Sequence, residues 1–115
     1  MTELQLQAQC YKAFNAKFAN NRNSIYRIKN ELDNHARHTT QSKMIQLSEN
    51  KATGVRKGIS DFCIIDNNGD SHWVEIKIDN GTQSTEQKAF QNLVKHYYLA
   101  YSVQEFMEIC ERIFL

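Results

Sequence analysis

Asp61, Glu75 and Lys77 are the residues of this chain whose types and spacing can do chemistry. Asp61 lies in Gly58-Ile59-Ser60-Asp61-Phe62, and the other two lie in Trp73-Val74-Glu75-Ile76-Lys77, after a short turn. Both segments otherwise read as apolar strands, which rarely carry Glu-x-Lys at their centre unless something uses the charges. Two carboxylates on neighbouring strands repel when both are ionised. A bound Mg²⁺ removes that repulsion, keeps several waters and accepts phosphate oxygens. It also lowers the pKa of water and neutralises charge growing on a phosphate. Lys77, two residues from Glu75, points the same way and can orient an attacking water or stabilise a phosphorane-like transition state. The plainer account is an Asp–Lys–Glu cluster on a solvated sheet face.

The elements that position these groups follow from period-two alternation. Phe62 and Ile64, then Val74, Ile76 and Ile78, alternate with other residues as strands do. Between them stands Asp66-Asn67-Asn68-Gly69-Asp70. A two-residue Asn68-Gly69 turn would pair Asp61 with Ile76. A three-residue turn, with Gly69 left-handed, would pair Asp61 with Glu75. The second register sets Phe62 opposite Val74 and Ser60 opposite Ile76, giving one apolar face and leaving Asp61, Glu75 and Lys77 together on the other. The first mixes the faces, which is costly where one face is buried. The three-residue turn is therefore expected.

Beyond the hairpin, residues 81–90 run from a loop into a helix. Ser84-x-x-Gln87 fits a capping box. Gln87 is also placed to reach a metal-bound water or the Lys77 ammonium.

Taken in order, Gly54-Val55-Arg56-Lys57-Gly58-x-x-Asp61-Phe62, Glu75-Ile76-Lys77 and Gly81-x-Gln83-Ser84-x-x-Gln87-x-x-Phe90 resemble the VRR-NUC domain, a branch of the PD-(D/E)xK nuclease superfamily. The resemblance covers residues 3 to 108. It implies that Asp61 and Glu75 bind Mg²⁺, for which Mn²⁺ can substitute, and that the Ile76 backbone carbonyl and an acid on the first helix, Glu3, join them. It implies that Lys77 supports the nucleophilic water and that Gln87 belongs to the catalytic set. Ser60 stands where the superfamily often has proline, and the glycine common before the last strand is replaced within Lys95-His96-Tyr97.

At 115 residues the chain is long enough for one domain with a modest core, taken to be residues 1–115. Without a run of about 18 apolar residues or a basic-then-apolar N-terminus, a cytoplasmic protein is expected. Cys10, Cys63 and Cys110 are far apart and odd in number, so they read as reduced, buried residues rather than a zinc site.

The net charge of +1 hides an asymmetry: residues 12–57 hold ten Lys/Arg against three acids, and residues 58–115 hold four against nine. Basic residues ahead of a phosphodiester-cutting site make sense as phosphate contacts. Arg56 and Lys57, just before Gly58, are the best candidates, and Ser84 at the helix start is also taken as a nucleic-acid-binding residue. Each taken singly also fits a solvated basic face.

A coarse reading gives a helix over residues 3–20, with Leu4, Ala8, Tyr11, Phe14 and Phe18 at helical spacing. A strand follows over 24–28, then an irregular stretch over 30–38. A helix capped by Thr39 or Thr40 runs to about residue 50, with Met44 and Leu47 facing inward. The hairpin, a helix over 85–96, a strand over 98–103 and a helix over 104–114 complete the order αβαββαβα. Phe90, Leu93, Val94 and Tyr97, and Phe106, Ile109 and Ile113, read as core. The fold class is α/β, a mixed central sheet flanked by helices as in restriction-endonuclease-like cores.

Two classes of function follow. One is a metal-dependent, structure-selective DNA endonuclease acting on branched DNA. Stand-alone VRR-NUC proteins of this size are similar to Holliday junction resolvases, which act as homodimers. A flap- or end-acting nuclease is a variant of this class. The other is a non-catalytic nucleic-acid-binding module of the same fold, for which three charges at one strand pair have little use.

Overall fold

The computed structural model describes residues 1–28, 44, 45, 49, 52–54 and 57–115. Within it, Asp66 and Gly69 close the hairpin as the three-residue turn requires. The Gly69 N–H donates to the Asp66 carbonyl at 3.0 Å, and Gly69 takes φ +84°. A residue with a Cβ is disfavoured there. The Asp66 side chain accepts from the N–H groups of Asn68 and Asp70, holding the turn from within. Strands β2 (Phe62–Ile65) and β3 (Ser71–Ile76) pair antiparallel, with Phe62 opposite Val74 and Ile64 opposite His72.

Strand β1 (Ile25–Arg27) adds antiparallel to β2, and β4 (Tyr97–Ala100) adds parallel to β3. The result is a four-stranded mixed sheet in the order β1-β2-β3-β4. The parallel pair needs a crossover, which helix α2 (Thr85–Leu93) supplies.

One sheet face carries Ile25, Phe62, Ile64, Val74, Ile76 and Ala100, packed against Leu6, Cys10 and Phe14 of helix α1 (Glu3–Lys17) and Phe106, Ile109 and Cys110 of helix α3 (Val103–Phe114). This is the core; Phe14, Phe62 and Phe106 are its largest fully buried side chains. Truncating one of them to alanine costs about 3–5 kcal/mol. Crossover α2 lies on the other face, where Phe90 meets Trp73 edge-on at 5.0 Å between ring centroids.

Several local expectations shift. Helix α1 stops at Lys17, and residues Ala19–Ser24 form a 3₁₀ turn. Its buried stripe is Leu6, Gln7, Cys10 and Phe14, while Leu4 and Tyr11 are exposed. Both stripes have helical spacing; the sheet selects the one that meets Phe62 and Ile64. Helix α2 ends at Leu93, which is 83% exposed, and buries none of its residues. It covers the far sheet face through Phe90 and is therefore not a core helix. Strand β4 begins at Tyr97 and ends at Ala100, because Ser102 caps α3 by accepting the Glu105 N–H. The helix expected from Thr39 or Thr40 and the irregular stretch over 30–38 lie largely or wholly outside the described residues. Met44, within that helix, is 65% exposed rather than inward-facing.

All three cysteines are free and buried. Among the described residues, no helix is long and apolar enough to cross a membrane.

Candidate active site

Asp61 immediately precedes β2, Glu75 is the penultimate residue of β3, and Lys77 follows β3 directly. The register that sets Phe62 opposite Val74 leaves Asp61 and Glu75 as neighbours on the face away from the core. The Asp61 Oδ2 accepts the Ile76 N–H at 2.7 Å, which fixes the carboxylate across the strand end. Ile76 turns its side chain into the core, so within three residues the strand packs one way and presents charge the other.

Burial decides between the two accounts of this charged face. Asp61 is 7% exposed, Glu75 2% and Lys77 9%. A solvated cluster is excluded. Burying unpaired charge is expensive, and the usual response is a shifted pKa. Burial, then the Asp61 charge, pushes the Glu75 carboxyl up to about 9. Burial also raises Asp61, opposed by the Ile76 N–H bond and by Lys77. The nearby Lys77 ammonium favours the ionised form of both acids. Glu3, at the first turn of α1, adds a negative charge that raises both.

Gln87 closes the site from α2. Its Nε2 donates to Glu75 Oε1 at 3.0 Å, while its Oε1 accepts from the Ser84 N–H at 2.9 Å. Its own N–H donates to the Ser84 hydroxyl at 3.1 Å, completing the capping box. Gln87 thus reaches the Glu75 carboxylate directly rather than Lys77. Ser84 is occupied as the helix cap.

Two glycines permit this approach. Gly58 has φ +84°, and a Cβ on it would lie 2.6 Å from the Glu86 backbone, so the loop before Asp61 abuts the first turn of α2. A Cβ on Gly81 would lie 3.0 Å from the Ile78 carbonyl and 3.4 Å from the Lys77 side chain. Lys57 is exposed beside Gly58. Arg56 lies outside the described residues.

The donor set suits a hard cation with oxygen ligands. The Asp61 and Glu75 carboxyls also hydrogen-bond to one another, with Glu75 carrying the proton. An ion of the Mg²⁺ kind needs only one or two carboxylates, taking its remaining positions from water and phosphate. Among the described residues, no group of three or more His, Cys, Asp or Glu side chains is arranged to hold a metal ion. The protein ligands on offer are thus a carboxylate pair, with Glu3 contributing charge nearby.

Sequence reasoning missed two groups here. The Tyr97 hydroxyl feels the charges of Glu75 and Asp61 and interacts with Gln83 and Ser60. In the sequence, Ser60 and the segment Lys95-His96-Tyr97 stood out only as departures from a resemblance, with no role attached to either. A separate cluster, His72 held between Asp66 Oδ2 at 2.8 Å and the Tyr98 hydroxyl at 3.0 Å and stacked on His96, ties the turn end of the hairpin to β4.

Compared with protein-family models, curated proteins and solved structures, the chain matches none.

Proposed function

We propose that this chain is a divalent-metal-dependent DNA endonuclease with a PD-(D/E)xK core of the VRR-NUC kind. The observation that carries the reading is the buried Asp61–Glu75 pair, with Lys77 on the same face and its charge acting on both carboxyls. In the cation-free protein Glu75 keeps its proton up to about pH 9, and a bound divalent cation would take that proton's place between the two carboxylates.

Asp61 and Glu75 would hold Mg²⁺ or Mn²⁺. When bound, the ion supplies Lewis-acid stabilisation of the phosphate and a nucleophile at neutral pH. The protein's own groups do the rest. The Ile76 N–H fixes Asp61, and the Gln87 amide fixes Glu75, so neither carboxylate has to reorganise during the reaction. Lys77 is the cation of the protein itself at this place; it orients the attacking water and stabilises charge on the phosphoryl oxygens. Lys57, with Arg56, would contact flanking phosphates. The proposed substrate is branched DNA, cut by a homodimer whose two-fold axis presents both sites to one basic surface.

The test is to incubate the purified chain with labelled four-way junction, flap, duplex and single-stranded DNA in Mg²⁺, Mn²⁺ or EDTA. Cleavage that needs the cation and is lost in Asp61→Ala, Glu75→Ala and Lys77→Ala is expected. Losing one such charge-stabilising group costs about 10²–10³ in rate. DNA binding without cleavage in any cation would replace the enzyme with the non-catalytic binding module. Preference for flaps or ends over junctions would keep the chemistry and change the substrate.

A further inference from the structure

Lys77 is held at two places from the end of β4. Its backbone N–H donates to the Ala100 carbonyl at 3.0 Å, carrying the β3–β4 pairing past the Ile76–Ala100 pair. Beyond it, residues 78–81 form a turn closed by the Gly81 N–H on the Ile78 carbonyl at 2.9 Å. This turn folds back over the lysine: a Cβ on Gly81 would lie 3.4 Å from Lys77 Cδ and 3.6 Å from Lys77 Cβ. The Tyr101 hydroxyl, from the residue after Ala100, donates to the Gly81 carbonyl at 2.9 Å. Lys77, the turn, Tyr101 and Ala100 thus form a closed ring of contacts.

Two further observations show that the ring is fixed at both ends. Asp79 takes φ +52°, the one positive φ of a non-glycine among the described residues. Such a backbone persists where the surrounding structure over-determines it. The Tyr101 N–H donates to Glu105 Oε1 at 3.2 Å, which ties the tyrosine to the first turn of α3. Tyr101 is 37% exposed and Lys77 only 9%. A hydroxyl near the surface therefore reaches a buried lysine through one glycine carbonyl. A lysine ammonium rides on a flexible stem, so it stays at one spot only if the stem is walled in. Gly81 is that wall, and the lack of a Cβ lets its backbone come so close.

We infer that Tyr101 is a positioning residue for Lys77: by holding Gly81 against the lysine stem, it keeps the ammonium on the side of Asp61 and Glu75. The inference rests on the nuclease reading for what Lys77 does and adds to it a residue of the β4–α3 connection. A group misplaced by about 1 Å can cost about 10²-fold in rate, so releasing the stem should cost about tenfold in kcat. KM for DNA should hold, because Lys77 acts on charge that develops in the transition state.

The experiment compares the wild type with Tyr101→Phe, and with Tyr26→Phe as the control. Tyr26 also donates its hydroxyl to a main-chain carbonyl, that of Asn23, but it lies on β1 at the opposite edge of the sheet. The full chain, carrying isotope-labelled lysine, is recorded by NMR without DNA or cation, and the Lys77 signals are assigned with Lys77→Arg. In the wild type and in Tyr26→Phe the paired ε-protons of Lys77 should be resolved from one another, as a fixed stem requires. In Tyr101→Phe they should merge at one averaged shift, while Tm falls by a few degrees only. Steady-state cleavage in Mg²⁺ should lose about tenfold in kcat in Tyr101→Phe at unchanged KM, and nothing in Tyr26→Phe. Resolved ε-protons in Tyr101→Phe, or cleavage at the wild-type kcat, overturns the inference and leaves the nuclease reading standing. Equal losses in the two tyrosine variants overturn it as well, since they would reflect general loosening of the fold. A wild type that cleaves no DNA overturns the nuclease reading and the catalytic role of Tyr101 together.

Discussion

Gln87 donates its side-chain amide to Glu75 across 3.0 Å, joining the first turn of α2 to β3, the second strand of the hairpin. The same side chain accepts from the Ser84 N–H, so one residue caps the helix and fixes a site carboxylate.

These two roles can be separated. Gln87→Ala removes both and should lose about 1 kcal/mol of stability from the cap, together with about tenfold in cleavage rate. Gln87→Glu keeps an acceptor at the third helical position, as capping boxes allow, but sets a carboxylate against Glu75. Its helix should therefore survive while its cleavage falls. Melting temperature in EDTA and single-turnover rate, measured side by side, check this. A Gln87→Glu variant cleaving at the wild-type rate would leave Gln87 as a cap alone.

Glu75 makes the cation-free protein sensitive to pH. Its carboxyl rises from an ordinary 4.5 to about 9, because burial and the Asp61 charge disfavour ionisation. The unfolded chain releases this proton near 4.5, while the folded one holds it until about 9, so the folded state binds more protons across that window. Stability should then fall as pH rises from about 4.5 to about 9 and level off above it. Asp61 is shifted the same way and reinforces the slope. Asp66 is lowered, mainly by its hydrogen bond to His72; it acts below the ordinary aspartate range, in acid, and does not oppose the slope. Glu75→Gln should flatten the dependence and raise Tm at pH 8. Saturating Mn²⁺ should offset the loss, since the cation replaces the proton. Melts from pH 5 to 9 in EDTA and in Mn²⁺ test all of this; a flat wild-type profile in EDTA would show that the pair is ionised without a cation.

Much of this arrangement was legible in the sequence, and the reason is local. Gly69 and the alternation around Phe62 and Val74 set the hairpin register, and Ser84 with Gln87 set the start of α2; in each case the deciding interaction spans a few residues. The buried stripe of α1 was not legible, because Leu4, Ala8 and Tyr11 share helical spacing with Leu6, Cys10 and Phe14. Only the sheet discriminates between them. The burial of Asp61, Glu75 and Lys77 was equally hidden. It depends on Gly58 packing against Glu86 and on Gln87 reaching Glu75, contacts between segments that alternation cannot relate. The bond from His72 to Tyr98 spans 26 residues and had no sequence signal at all.

Gly58→Ala should damage the site without touching its chemistry. The residue has φ +84°, and its added Cβ would lie 2.6 Å from the Glu86 backbone carbon, which cannot swing aside as a flexible side chain would. The left-handed backbone alone costs a non-glycine residue about 1 kcal/mol or more, and the clash must displace either the Asp61 loop or α2. Expected are a loss of about 2 kcal/mol or more in chemical denaturation and a cleavage rate that falls further than the stability loss explains. Gly54→Ala is the comparison: it has a similar φ of +86° but nothing within 4 Å of its Cβ. It should show the backbone cost and leave cleavage intact. Equal effects at the two glycines would mean that the approach to Glu86 does not position the site.

Lys57 tests how DNA is held. It is exposed, adjoins Gly58 and carries no role in the core, so its replacement should spare the fold. Binding of duplex DNA loses about 0.9 in log K per log salt for each neutralised phosphate. If Lys57 makes one such contact, Lys57→Ala should lower the slope by about 1, and the double variant with Arg56→Ala by about 2, equally across DNA sequences. Measurements belong in EDTA, where cleavage cannot distort them. The same samples answer the question of assembly, because one site cuts one strand while resolving a junction requires two symmetric cuts. Sedimentation of the chain with four-way junction DNA should give two protomers per junction. One protomer per junction at micromolar concentration, with the salt slopes as expected, would keep the phosphate contacts and assign the enzyme to flaps or ends. An unchanged slope in Lys57→Ala would place the DNA on another face of the molecule.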